Sequence, residues 1–197
     1  MVVQTELESA RRLGRRLEEL VLKRGQCPDD DRNILLMGYW ALLFDFHKGV
    51  LNLIPSVLCG SAFALVRPSM EALVRAHVAV KGSADDVKKL RQDEYRTNFA
   101  TIGAWIDAEF GSGDLFTNFL GRARDALHSF THAGISQLGR RFSGHNLTPS
   151  YSDGEIIEVI RVCTSAVWMV TNLVTKHLGY AAEAKEAEDL YIEWGKH

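Results

Sequence analysis

Two sets of polar side chains recur at one-turn intervals in otherwise apolar surroundings, and these are the places where the sequence could do chemistry. Arg67, Glu71 and Arg75 are the only formally charged residues between Lys48 and Lys81, and they are spaced i, i+4 and i+8. On an α-helix each such step turns the side chain by about 40°, so the three share one narrow stripe beside Phe63, Met70, Val74 and Val78. Charges with apolar neighbours are rarely buried unless paired. The stripe therefore reads as an internal ion-pair cluster or as an anion- or ligand-binding site. Arg124, His128 and His132 form a second stripe, again one turn apart. Imidazole exchanges protons near neutral pH, and guanidinium holds phosphate or the charge that develops on it. Together they suit cleavage of RNA without a metal, with Arg124, His128 and His132 as catalytic candidates. The three arginines outnumber Glu71 unless Asp45 joins the cluster, and that surplus favours a bound anion. Two histidines at i, i+4 can share a metal, but zinc needs a third protein ligand and neither HExxH nor ExxH occurs. Neither a metal nor a cofactor is expected. The competing reading is a non-catalytic helical interaction module in which the buried polar cluster only fixes packing.

The two stripes lie in RPSMEALVR (67–75) and RDALHSFTHAGISQLGRRF (124–142). Through these segments the chain resembles the HEPN superfamily, all-helical domains whose name refers to nucleotide binding, and especially its bacterial members of undefined role. The resemblance implies a helical bundle acting as a homodimer. It also implies RNA or a nucleotide as ligand, and a place in a defence or toxin system whose antitoxin, if one exists, the sequence does not identify. In HEPN ribonucleases an arginine, often followed by a polar residue, precedes a histidine by four to six intervening residues, and the pair cleaves RNA at the dimer interface. Arg122 and His128 have five residues between them, but Ala123 follows the arginine. Arg124 has the polar follower Asp125, yet its intervals to His128 and His132 are three and seven. On a regular helix Arg122 would lie about 120° around from His128, whereas Arg124 lies one turn below it. Either arginine can therefore be the functional one.

The elements that must position these residues read as helices throughout. Residues 1–197 suffice for one core, and a single all-α domain of about six or seven helices is expected. A net charge of -2 excludes attachment to nucleic acid by bulk charge, so any such contact must be local. Cys27, Cys59 and Cys163 show neither disulfide nor zinc spacing and read as free thiols. The N-terminus lacks a signal-peptide core, and the uncharged run from Gly49 to Val66 is broken by Pro55 and polar residues, so a cytoplasmic protein without a membrane partner is expected. Leu7, Ala10, Leu13, Leu17 and Leu20 mark a first amphipathic helix. Asp29 to Asp31 cap a second, largely buried one, with Asp45 either an internal partner or near its wet end. Pro55 ends that helix, and Pro68 either kinks the next or sits in its first turn. A polar helix is expected from Asp85 to Phe110, and a further one from Asp114 past His128, bending near Gly134. Residues 142–153 read as a loop, Glu155 to Val174 as the central helix, and residues after Gly179 as a terminal surface helix.

Overall fold

The computed structural model describes residues 2–25, 29–96, 99–132 and 134–196, apart from the side chains of Phe99, residues 123–127 and Ser136. The protein is all-α. Its helices are α1 (Val2–Leu22), α2 (Asp31–Leu53), α3 (Cys59–Ala64), α4 (Val66–Lys81), α5 (Ala84–Arg91), α6 (Phe99–Phe110), α7 (Leu115–Thr131), α8 (Ile135–Gly139), α9 (Asp153–His177) and α10 (Ala181–Trp194). The only strands among the described residues are β1 (Phe142–Ser143) and β2 (Asn146–Leu147), which pair antiparallel around Gly144, whose φ of 60° suits a tight turn. Cys27 lies outside the described residues.

The helix count exceeds expectation because three of the expected helical stretches are each interrupted. Pro68 falls in the first turn of α4, where its missing amide leaves no helical bond unmade, so the alternative of a kinked helix is not the one adopted. The expected helix from Asp85 to Phe110 is two. Ser83 starts α5 with a capping box to Asp86, and after α5 Asp93 takes a left-handed φ of 55° that aspartate tolerates. α7 stops at Thr131, and the Gly134 amide turns back to donate to the Ser129 carbonyl at 2.6 Å.

α9 is the central helix. The Ser152 hydroxyl and the Glu155 carboxylate cap its first turn reciprocally, and it packs against α1, α2, α4 and α10. Leu17, Leu36, Phe44, Leu73, Ile106, Val167 and Val170 belong to one large apolar cluster, and a second, beneath the start of α4, gathers Leu7, Val50, Phe63, Phe130 and Ile160. Cys59 and Cys163 are free and buried, and burial pushes the Cys163 thiol up to about 12. α2 and α9 are each long and apolar enough to cross a membrane by length and composition, with 39% and 56% of their most apolar windows buried within the fold. α2 is less enclosed than its sequence suggests. Ile34 and Leu42 face solvent, and Asp45 is exposed rather than an internal partner.

Contacts between residues distant in sequence fix the frame. Where α1 crosses α2, a Cβ on Gly14 would lie 2.6 Å from His47 Cε1, so only glycine permits this approach without a shift. The Thr164 hydroxyl gives its proton to the Ile160 carbonyl at 2.7 Å, so His47 Nε2, 3.1 Å away, must donate to Thr164. Arginines from other helices satisfy carbonyls at two helix ends. Arg11 donates to the Leu51 carbonyl of α2 at 2.6 Å, and Arg32 donates to the Ala79 and Gly82 carbonyls at the end of α4 at 2.8 Å. Asp114 precedes α7 as expected but its side chain makes no cap hydrogen bond. Buried Asp107 of α6 caps α7 instead, accepting from the Phe116 and Thr117 amides at 2.8 and 2.9 Å and from the Ser112 and Thr117 hydroxyls at 2.6 and 2.7 Å. Burial alone would raise its pKa, but these bonds outweigh it and hold the carboxyl at about 2.

Two outcomes follow. Asp107→Ala leaves the α7 amides unpaired in a buried setting and should lower unfolding free energy by about 3 kcal/mol in urea titrations; a loss below about 1 kcal/mol would show that Asp114 or water caps the helix. Burial, with Lys48 adding to it, pushes His47 down to about 4. Because the folded value lies below the unfolded one, this stability is whole above about pH 6.5 and is lost as pH falls towards 4. Between pH 7 and pH 5 the wild type should lose about 2 kcal/mol through this ring, and His47→Gln should remove that part of the pH dependence.

Candidate functional site

α4 buries Val66, Ser69, Met70, Leu73, Val74, His77 and Val78, which leaves Arg67, Glu71 and Arg75 along its one half-open stripe. α7 buries Phe116, Leu120 and Phe130, and the Phe130 ring lies 5.3 Å from that of Phe63 on α3. That contact seats the end of α7 over the start of α4. The two stripes meet there. The Arg67 guanidinium donates through Nε to Glu71 Oε1 at 2.8 Å and through Nη1 to Nδ1 of His128. His132 is the first residue beyond α7. Its amide donates to the His128 carbonyl at 3.1 Å, and the two rings lie one turn apart with centroids 4.4 Å apart and planes tilted by 49°. Both imidazoles are exposed.

Arg75 does not join this group. It turns to Asp93 beyond α5, 3.3 Å away, and its Nε is buried without a partner among the described residues. Burial acts to lower its pKa, but hydrogen bonding and charge at Tyr39 and Asp93 outweigh burial and raise it. Asp93 and Tyr39 carry no local sequence signal; both reach Arg75 only because the chain leaves α5 left-handed and α2 runs beside α4. The expectation of an internal ion-pair cluster joining all three residues is therefore corrected. Arg67 and Glu71 retain 28% and 34% of their side-chain exposure, and each described arginine of the stripe has its own carboxylate. The side chain of Arg124 lies outside the described residues, so the surplus expected from it is not part of this geometry.

Arg122 is exposed on a different face of the regular α7 helix and lines a groove of about 720 Å³ with Phe119, Glu158, Arg161, Met169 and Tyr191. The structure thus brings His128 to Arg67 rather than to Arg122. Arg140 is held by Glu155 and by the Ser150 carbonyl at 3.3 Å. Arg141 approaches Gly60 at the start of α3, where a Cβ would lie 3.1 Å from its Nη2 and 3.0 Å from the buried Tyr151 hydroxyl oxygen, which has no partner among the described residues. Among the described residues no three His, Cys, Asp or Glu side chains stand where they could share a metal ion, and Glu71 is engaged by Arg67. The arrangement can accept and release protons at two exposed imidazoles and can donate hydrogen bonds to an anion beside a fixed guanidinium. Compared with family models, curated proteins and solved structures, the chain has no significant match.

A half-exposed pair within one helix contributes little, so Glu71→Ala should cost less than about 1 kcal/mol in chemical denaturation. A cost of about 3 kcal/mol would instead mark a buried pair stranded by loss of its partner.

Proposed function

We propose that this protein is an HEPN-like RNA-processing or nucleotide-binding protein of a defence or toxin system, acting as a homodimer in the cytoplasm, and that its activity is metal-independent endoribonucleolytic cleavage. The observation that carries this reading is the exposed His128–His132 pair with Arg67 bonded to it from a neighbouring helix. The resemblance of the two segments to HEPN proteins and the all-α fold support it. Two imidazoles in solvent, beside a guanidinium already oriented by a carboxylate, supply the proton exchange and anion contact that transesterification at phosphorus needs. Arg124, one turn below His128 in sequence, and Arg122 are the cations that could complete the site. We read α2 and α9 as core helices rather than membrane spans. The competing module reading requires a polar cluster closed from solvent, and the exposure of both histidines favours catalysis or ligand binding over it.

In this reading the 2′-oxygen attacks the adjacent phosphate and cleavage leaves 2′,3′-cyclic phosphate ends. Purified protein incubated with mixed single-stranded RNAs in EDTA should cut them, and His132→Ala and Arg124→Ala should each lower the rate by about a hundredfold or more. Activity that vanishes in EDTA would point to a metal, and unchanged activity in both variants would remove these residues from the site. If the wild type cuts nothing while a nucleotide raises its melting temperature, the site binds rather than catalyses.

A further inference from the structure

We infer that Arg67 fixes His128 as its Nε2–H tautomer, so that His128 is a hydrogen-bond donor to the phosphate and proton transfer falls to His132. A guanidinium has five N–H donors and no lone pair, so every hydrogen bond it makes is one it gives. The bond from Arg67 Nη1 to His128 Nδ1 therefore requires Nδ1 to accept. The ring's single proton is then on Nε2, the nitrogen left for a ligand.

Arg67 has a second bond that orients it towards this ring. Its Nε is committed to Glu71 at 2.8 Å, one turn along α4, and the aromatic contact between Phe63 and Phe130 holds α7 in place. The charged and titratable groups around His128 among the described residues are Arg67 and Glu71 from α4 and His132 from its own helix end. His132 forms no hydrogen bond through its ring with another described residue, which leaves a lone pair for a proton.

This assignment deepens the ribonuclease reading and rests on it for the chemistry, though not for the tautomer. An imidazole protonated only at Nε2 cannot serve as a base there. Giving that proton up would make it an imidazolate, which a neutral imidazole does not form near pH 7. His128 instead donates a hydrogen bond from Nε2 to a non-bridging phosphate oxygen and keeps its proton throughout. His132 takes the proton from the 2′-hydroxyl, the O2′–P bond forms and the P–O5′ bond breaks. The departing oxygen takes a proton from water, and the hydroxide left behind takes the proton held by His132. Arg67 is a positioning residue in this scheme, acting through His128.

The test combines a tautomer measurement with kinetics. ¹⁵N-resolved NMR of histidine-labelled protein at pH 7.5 should show His128 protonated at Nε2 and bare at Nδ1, and Arg67→Ala should turn this into a mixture of tautomers. His128→Gln, which places an amide N–H near the Nε2 position, should lower the rate but preserve the acid limb of the pH–rate profile, whereas His132→Gln should lose about a hundredfold and that limb with it. A wild-type ring protonated at Nδ1, or a rapid mixture unaffected by Arg67→Ala, overturns the inference. So does an acid limb lost with His128→Gln and kept with His132→Gln. If the wild type cuts no RNA, the ribonuclease reading fails while the NMR result still decides the tautomer.

Discussion

Three helices meet at the His47 ring, and the rest of the bundle is built on that meeting. Gly14 lets α1 lie directly on the ring, α2 carries it, and its Nε2–H reaches Thr164 in the middle of α9. The ring must remain neutral, because a charge there would be buried without a carboxylate to meet it. Apolar packing alone would allow α1, α2 and α9 to slide past one another, since hydrophobic burial has no direction. A donor, an acceptor and a missing methyl group remove that freedom. With α9 set in this way, its other faces receive α4 and α10, and α4 in turn presents Arg67 at its open stripe.

The site inherits its geometry from contacts that are remote in sequence. Arg32, from the start of α2, satisfies the carbonyls at the end of α4, so α4 is anchored at the end away from Arg67. Asp107, from α6, satisfies the first amides of α7, so that helix is anchored at the end away from His128. The functional ends are held by side-chain packing between Phe63 and Phe130 and by the Arg67–His128 bond itself. Each helix is thus capped where no chemistry is proposed and open where two imidazoles are exposed. A ligand at the open end would meet side chains already oriented, and the ordering cost of binding would be correspondingly small.

The helical class, the central position of α9 and the adjacency of the Arg67 and His128 helices were legible in the sequence because apolar periodicity records which faces are buried. So was the one-turn pairing of Arg67 with Glu71 and of His128 with His132, which depends only on helix geometry. Partners fixed by tertiary folding were not legible. Arg75 has Glu71 one turn away on the same helix but takes Asp93, because a left-handed residue after α5 returns the chain to it. Asp107 sits among apolar residues in α6 and gives no sign of capping the next helix; the nearer Asp114 looks better suited and is not used. Burial depth was misread for the same reason. The flanking apolar residues correctly mark α4 as a core helix, but a stripe of half-exposed charges between them looks identical in sequence to a buried one.

Charge balance limits what the site can be. With Arg67 matched by Glu71 and Arg75 by Asp93, the described part of the cluster has no excess cation to draw a polyanion by long-range attraction, and the chain as a whole carries a net charge of -2. What the described residues of the cluster offer a phosphate is short-range donors rather than net charge. This is the regime in which the Nε2–H of His128 matters, because a fixed neutral donor contributes only at hydrogen-bond distance and only in the right direction. The same balance weighs against a metal ion, since a dication brought to His132 would stand beside the Arg67 guanidinium with Glu71 already occupied. The local electrostatics and the donor pattern therefore agree with the proposed chemistry, in which protons would move between imidazole, ribose and water while the cation beside them stays fixed.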